Sequence, residues 1–153
     1  MTNDALLTDI ALRLVDSRAL SIYRARRSDQ RAVLGRRSIT TRDFSLTSGR
    51  NNLAQAITIR LLTPRGELAA LGHPDYGSRL PDLIGTQRTE TTRNLAKLYV
   101  LEALKQERRI AAIDTVTVDD HPGDRHRVDI FIQVRPIDDS RVIDVGPFTL
   151  DLG

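Results

Sequence analysis

Carboxylates are the residues that could do chemistry in this 153-residue chain. Hydrolysis of a glycosidic bond needs two carboxyl groups about 5–9 Å apart, one of them kept protonated by apolar surroundings. The candidates by residue type are Glu67, Asp75, Glu90, Glu102 and Glu107. Glu90 and Glu102 fall among Arg and Lys residues, where ion pairing keeps a carboxylate ionised. Asp75, between a proline and a tyrosine, is typical of a turn. The pattern marks no catalytic pair.

Metal and nucleophile chemistry lack their usual motifs as well. His73, His121 and His126 are the only histidines, and no H-E-x-x-H pattern includes them. The chain has no cysteine, so it has no thiol nucleophile and no disulfide. It also has no G-x-S-x-G elbow and no glycine-rich phosphate loop. We therefore predict no catalytic residue, no metal site and no cofactor.

Composition is that of an ordinary globular domain, with 40% hydrophobic and 28% charged residues. The start of the sequence, MTNDALLTDIALRLVD, is acidic and its apolar residues are interrupted, so we expect no signal peptide. No apolar run approaches the length that spans a bilayer. We expect synthesis in the cytoplasm and no membrane insertion.

Charge is distributed unevenly along the chain. Residues 1–50 contain 10 Arg and 5 Asp, whereas the remainder contains 13 Arg and Lys against 15 Asp and Glu. A basic segment indicates contact with an acidic partner or with nucleic acid. Proteins that grip single strands add aromatic stacking platforms, and only Tyr23 and Phe44 are available here. A nucleic-acid module remains an alternative, less favoured than a solvated or partner-facing surface.

The N-terminal part is predicted to be extended. Ile10, Leu12 and Leu14 alternate with other residues, which is strand periodicity, and a second strand is expected over residues 22–24. A turn near Asp16-Ser17 would connect them. Residues 26–42 have little periodicity and many arginines, so we predict a loop there.

Two helices follow. The first is predicted to begin at Asn52, which fits a capping box with Gln55, and to end at Thr63 because Pro64 follows. The second is capped by Thr89. Its wide apolar stripe, which predicts burial against a sheet, contains Leu95, Ala96, Leu98, Leu101, Ala103 and Leu104.

After the second helix, apolar residues recur at every second position. Three apolar alternations predict strands: Val116 and Val118; Val128, Ile130, Ile132 and Val134; and Phe148, Leu150 and Leu152 after Gly146-Pro147. The DDHPGDRH stretch between the first two is a hairpin connection. We predict an α+β domain in which two main helices pack on a small antiparallel sheet, with extra N- and C-terminal strands.

A Gly- and Pro-rich segment lies between the two predicted helices, and further motifs stand before and after it. In order, the chain carries Asn52-Leu53, Thr63-Pro64-x-Gly66-Glu67, Pro74-x-Tyr76-Gly77-Ser78-x-Leu80 and Glu107-x-Arg109-Ile110. This order resembles the baseplate-wedge family of contractile tails over about residues 43–137. That family includes phage baseplate protein W and its counterpart in the type VI secretion baseplate, and an older label calls some members lysozyme-like.

The resemblance implies a structural role. Family members surround the tail tube in six copies, and the first sheath ring attaches to them by strand addition. The implied partners are other baseplate-wedge proteins, sheath subunits and tail tube proteins. The implied partner-binding set comprises Glu107, Arg109, Ile110, Val128, Ile130, Ile132 and Val134. The implied structural set comprises Asn52, Pro64, Gly66, Pro74, Tyr76 and Gly77.

One family motif is altered here. The Glu-Pro-Arg motif, which contacts the helical core bundle of the wedge in the family, falls on Glu107, Arg108 and Arg109, with Arg108 in place of proline. Residues 1–42 form an Arg-rich extended segment outside the resemblance, and residues 43–153 form the wedge domain. The extension resembles that of extracellular injection systems, and we expect it to wrap neighbouring proteins. A peptidoglycan-cleaving, lysozyme-like enzyme remains a second alternative.

Overall fold

A computed structural model of the chain describes residues 7–15, 22–25, 27–34 and 37–152, with side chains described over residues 7–12 and 45–152. The chain divides into two units, Met1–Gln55 and Ala56–Gly153. Two main helices and several antiparallel sheets confirm the predicted α+β class. The proposed division into residues 1–42 and 43–153 stays a prediction.

Three antiparallel strand pairs lie in the described part of the first unit. Strand β1 (Thr8–Ile10) pairs with β6 (Leu46–Ser48), β2 (Leu12–Val15) with β3 (Ile22–Ala25), and β4 (Arg27–Leu34) with β5 (Arg37–Phe44). The two predicted N-terminal strands are confirmed, although the first is divided at Ala11, whose N–H donates to the Ser45 carbonyl at 2.7 Å. The turn predicted near residues 16–17 lies outside the described residues.

The loop predicted over residues 26–42 is wrong. Strands β4 and β5 pair over eight residues each, from Arg27 opposite Phe44 to Leu34 opposite Arg37. A two-stranded ribbon satisfies its main-chain hydrogen bonds between its own strands, so it needs no alternating buried face. The β-branched run Ile39-Thr40-Thr41 suits a strand. Apolar periodicity, on which the loop prediction rested, does not report such a ribbon.

Helix α1 (Gly49–Leu62) begins three residues before the predicted start. The capping box is wrong: Asn52 lies inside the helix and is buried, and Gln55 bonds elsewhere. The Gln55 side-chain amide accepts from the Leu12 N–H at 2.7 Å and donates to the Ile10 carbonyl at 2.9 Å. The helix ends one residue before the predicted Thr63.

Helix α2 (Glu90–Lys105) follows the predicted cap, since the Thr89 hydroxyl accepts from the Thr92 N–H at 3.1 Å. Ala96, Ala103 and Leu104 are buried as predicted, and Leu95 and Leu101 are half-buried. Leu98 is 47% exposed, which corrects its assignment to the buried stripe. The buried face turns instead through Tyr99 and Val100 and packs against strand β7 (Ile110–Asp120).

Strand β7 belongs to an antiparallel sheet of three strands with β8 (Arg127–Pro136) at its centre and β9 (Ile143–Asp151) beyond it. The four alternating residues of β8 predicted to face the core are at most 1% exposed: Val128, Ile130, Ile132 and Val134. Strand β9 begins before the predicted Gly146-Pro147 start, and a bulge lies where Gly146 passes the Ile130 carbonyl.

The Gly- and Pro-rich segment over residues 63–84 closes on itself. The Ser78 N–H donates to the Thr63 carbonyl and the Arg65 N–H to the Ser78 carbonyl, both at 2.9 Å. The Gly66 N–H donates to the Tyr76 carbonyl at 3.3 Å. Within it lie two short 3₁₀ helices, Ala69–Leu71 and Leu80–Leu83. Residues 65–68 form a turn.

Gly77 is the residue on which this closure depends. Its φ is +105°, and a Cβ there would lie 2.5 Å from the Thr63 carbonyl oxygen and 2.8 Å from that of Pro64. Both oxygens belong to the main chain, so neither can move without opening the segment.

We expect Gly77→Ala to lower the free energy of unfolding by about 3 kcal/mol or more, because backbone strain and a main-chain clash add. Gly72→Ala is the matched control: its φ is +85°, but no atom lies within 4 Å of the added Cβ. It should cost only about 1–2 kcal/mol. Urea unfolding of both variants measures the difference, and equal losses would contradict the close approach at Gly77.

Candidate functional site

A cluster of charged and aromatic side chains forms where three elements of the second unit end. Arg60 lies in the last turn of α1, Tyr76 in the closed segment, and Glu107 and Arg109 between α2 and β7. Three of these four residues belong to the sets that the sequence resemblance implied. Sequence reasoning missed Arg60. Its signal was a cation in the last turn of a helix, which is common enough to carry no site prediction.

The Glu107 carboxylate is the centre of the cluster and is only 9% exposed. Arg109 binds it in bidentate fashion, with Nε 2.8 Å from Oε1 and Nη2 3.0 Å from Oε2. The Arg109 N–H also donates to Oε1 at 3.3 Å. The planar guanidinium matches the two carboxylate oxygens, so this pairing fixes the direction of Arg109 as well as its charge.

Arg60 supplies a second cation to the same carboxylate. Its Nη2 lies 3.6 Å from Glu107 Oε2, and its Cζ lies 4.5 Å from the centroid of the Tyr76 ring. The ring face attracts the guanidinium, an interaction worth about 1–2 kcal/mol when partly desolvated. Arg60 Nε is buried and has no hydrogen-bond partner in the described part of the chain. Tyr76 thereby ties the closed segment to the end of α1.

The surroundings change the pKa of both titratable residues at the centre. Burial alone would raise the pKa of Glu107, but the hydrogen bonds and charge of Arg109, with the charge of Arg60, lower it below its ordinary value. Burial raises the pKa of Tyr76, partly opposed by the Arg60 charge. Glu107 is therefore an ionised anchor at neutral pH. A general acid requires the opposite change.

The altered family motif takes a defined shape without its proline. The Ile110 N–H donates to the Glu107 carbonyl at 3.1 Å, closing a turn across the exposed Arg108. The Ile137 N–H donates to the Arg109 carbonyl at 3.0 Å, which joins the turn to the end of β8. Main-chain hydrogen bonds thus set the chain direction that proline sets in the motif.

The other predicted partner-binding residues lie apart from this cluster. Ile110 is the half-buried first residue of β7. Val128, Ile130, Ile132 and Val134 belong to the central strand, whose main chain is paired on both sides and whose apolar side chains fill the core. Their role in partner binding stays a prediction.

A second polar cluster lies at the hairpin end of the sheet. His121 Nδ1 lies 2.9 Å from both carboxylate oxygens of Asp129, and the Thr149 hydroxyl donates to Asp129 Oδ1 at 2.8 Å. Asp129 thus stands between the histidine and the hydroxyl. A nucleophilic triad needs the histidine in that position, so Thr149 is not activated here. His121 is half-buried in this contact.

Small-molecule binding has little room at the surface of α2. A hollow of about 10 Å³ beside α2, room for about one water molecule, is lined by residues that include Arg79 and Tyr99, whose ring centroid lies 4.4 Å from the guanidinium carbon. Ligand pockets are usually about 300–1,000 Å³. Within the described ranges, no group of three or more His, Asp or Glu side chains could hold a metal ion.

No helix in the described part of the chain combines the length and the apolar character that crossing a membrane requires.

The chain is similar to a family described from contractile injection systems and to a solved structure. A family model described as the contractile injection system sheath initiator matches residues 29–139. The match begins inside the segment that the resemblance left out. A 1.44 Å crystal structure from Geobacter sulfurreducens, described as a candidate tail lysozyme, is similar with a TM-score of 0.60 and 27% identity, over 70% of this chain and 94% of that one. No curated protein sequence matches.

We expect Glu107→Gln to lower the free energy of unfolding by about 2–3 kcal/mol at pH 7, because two guanidinium groups lose their anion in a poorly hydrated site. The folded-state pKa of Glu107 is depressed, so its contribution is present above the ordinary value of 4.5 and is lost as pH falls through the folded value.

Denaturant titrations from pH 7 to pH 3 check this prediction. The difference between wild type and Glu107→Gln should shrink below about pH 4.5. Glu102→Gln, at a half-buried position on α2, is the control and should change stability by less than about 0.5 kcal/mol. A difference that grows on acidification would contradict the assigned direction.

Proposed function

Because the chain belongs to the family of contractile injection system sheath initiators, we propose that it is a structural component of the baseplate on which the first ring of sheath subunits assembles. The family match over residues 29–139 carries this proposal. The protein is part of a contractile injection particle. The proposal extends to six copies around the tail tube, contacts with wedge and tube proteins, and synthesis in the cytoplasm before assembly.

Strand addition needs an edge with free main-chain groups, and β9 is a poor one. The Leu152 N–H donates to the His126 carbonyl at 2.8 Å. Because the direction of the main-chain N–H and C=O groups alternates along a strand, those of Leu150 and Phe148 face β8, and the main chain of Thr149 and Pro147 faces outward. Pro147 has no N–H to offer, and a bulge interrupts the strand beside it. Proline and bulges are the usual devices that close an edge.

The outer edge of β7 is more regular. The His121 N–H donates to the Arg127 carbonyl at 3.1 Å. By the same alternation, the main-chain N–H and C=O groups of Val116, Val118 and Asp120 point away from β8, toward the outer edge. Residues 115–120 pair with β8 without a register shift. In the described part of the chain no strand pairs with that outer side.

We therefore assign sheath attachment to the β7 edge over residues 115–120. An extended sheath segment would exchange main-chain hydrogen bonds with the outward groups of Val116, Val118 and Asp120. These main-chain hydrogen bonds do not depend on the side chains of the sheath segment, so the segment is recognised by its shape and its extended conformation. This places the docking edge one strand away from the predicted β8 residues, which would support it from the core.

The Glu107 cluster has a different part in the proposal. Both of its carboxylate oxygens are bound by arginines, so Glu107 positions Arg109 and Arg109 makes the partner contact. Arg109 is the last residue of the turn that leads into β7. Loss of Glu107 would thus misdirect a cation that remains present.

Val118→Pro tests the docking edge. Proline removes an outward N–H while the inward hydrogen bonds of β7 stay, and edge strands tolerate it. We expect sheath recruitment to isolated baseplates to fall about ten-fold, since a partner carbonyl left unpaired costs about 1–3 kcal/mol. Val118→Ala, which keeps the N–H, is the control and should recruit sheath nearly normally.

Electron microscopy of baseplates that contain either variant measures recruitment as the fraction of baseplates that bear sheath. Baseplates that contain Val118→Pro and bear normal sheath would exclude this edge while leaving the baseplate role intact. Particles in which the wild-type chain is missing from the baseplate would overturn the proposed function itself.

A second candidate function, cleavage of peptidoglycan, is favoured by the description of the Geobacter sulfurreducens relative as a candidate tail lysozyme. The lowered pKa of Glu107 argues against it. We expect purified protein to leave cell-wall suspensions turbid, with hen egg lysozyme as the positive control. Clearing that one carboxylate substitution abolishes would instead establish an enzyme.

A further inference from the structure

Pairing of β4 with β5 sorts the arginines of this ribbon by face. Residues directly opposite each other share a face, and alternate residues along a strand share it too. Arg27, Arg31 and Arg42 therefore fall on one face, together with Asp29, which is opposite Arg42. We call these three arginines the arginine face.

The other face of the ribbon is nearly neutral. Its strand pairs are Ser28 with Asp43, Gln30 with Thr41, Ala32 with Ile39, and Leu34 with Arg37. Arg37 and Asp43 are the charged residues on this face, and their charges cancel. The surplus positive charge of β4 and β5 thus belongs to a single face, which periodicity along either strand alone does not show.

The neighbouring ribbon contains a second concentration of positive charge. In the pairing of β2 with β3, Arg13 lies directly opposite Arg24. Like charges at directly opposite positions destabilise an antiparallel pair. An anion brought close to both residues removes that repulsion, so the arrangement favours a bound negative partner.

We propose that these arginines bind an acidic protein surface of the assembled particle, with guanidinium groups pairing with carboxylates. The inference rests on the proposed function, because it is the baseplate that brings such a surface to the chain. Bidentate pairing suits arginine, which represents all ten cations of residues 1–50.

A protein partner fits the arginine face better than nucleic acid does. Asp29 lies between Arg27 and Arg31 along the strand and opposite Arg42, so it would repel a continuous row of phosphates. A protein surface can offer its own cation at that point. Phe44 and Tyr23 are the only aromatic residues of these strands, too few to stack successive bases.

Two triple variants of the full chain test the inference with equal changes of net charge. Arg27→Gln, Arg31→Gln and Arg42→Gln together neutralise the arginine face, a change of −3. Gln30→Glu, Ala32→Glu and Arg37→Gln together make the same change of −3 on the opposite face, with no carboxylate placed directly opposite another. Circular dichroism and thermal melts establish that both fold.

Each variant is produced with the remaining particle proteins, and its ratio to tail tube protein in purified particles is measured at about 0.05 and 0.2 M salt. We expect the neutralised face to reduce incorporation at least about five-fold, the loss of roughly 1 kcal/mol that a few exposed pairs supply, and the opposite-face variant less than two-fold. Higher salt should weaken wild-type incorporation and scarcely affect the neutralised variant.

Arg24→Gln separates binding from structure. Removing one of two opposed arginines should leave the melting temperature of the isolated chain unchanged or raised, while incorporation falls. A lowered melting temperature with normal incorporation would show that the arginines serve the fold and would overturn the proposal.

Two further outcomes would also overturn it. One is equal incorporation of both triple variants. The other is normal incorporation of the neutralised variant with loss of binding to a 30-base-pair DNA duplex, which would assign the face to nucleic acid. In either case the wild-type chain in the baseplate would leave the proposed function standing.

Discussion

Unpaired main-chain groups at a sheet edge are the constraint on which the rest of this structure depends. The β7–β8–β9 sheet has a fully paired and buried central strand, so its capacity to bind lies at its margins. The two margins differ, since Pro147 and a bulge interrupt β9 while β7 keeps a regular register over residues 115–120. The sheet can therefore accept a further strand at its β7 edge but not readily at its β9 edge. A protein with two open edges would risk pairing with itself.

Rigid surroundings are what make such an edge useful as a template. The bidentate pair of Glu107 with Arg109 and the close approach at Gly77 each fix a turn near an element end. Buried ion pairs contribute little net stability over apolar packing, but a broken pair is costly. They therefore suit a part whose geometry matters more than its stability. Arg60, which contacts both Glu107 and the Tyr76 ring, couples the two turns.

Elements with a buried apolar face were predictable from the sequence. The alternation in β8 and the Thr89 cap of α2 follow from local periodicity and capping, and both were predicted correctly. The β4–β5 ribbon was not, because its hydrogen bonds are internal and leave no apolar signal. Gln55 was misjudged because its amide bonds residues more than 40 positions away, which no local pattern reveals. Arg60 joined the cluster through tertiary contact alone.

Strand addition and charge pairing supply different things to an assembly protein. Main-chain hydrogen bonds are independent of side chains and hold any extended segment, so they give strength without choice of partner. Charged groups act over about 8–10 Å at physiological salt, accelerate encounter and reject like-charged surfaces. In the proposed roles these tasks belong to different parts of the sequence, with ten arginines before residue 51 and the regular edge at residues 115–120. If both proposals hold, salt should affect recruitment of the chain far more than its binding of a strand.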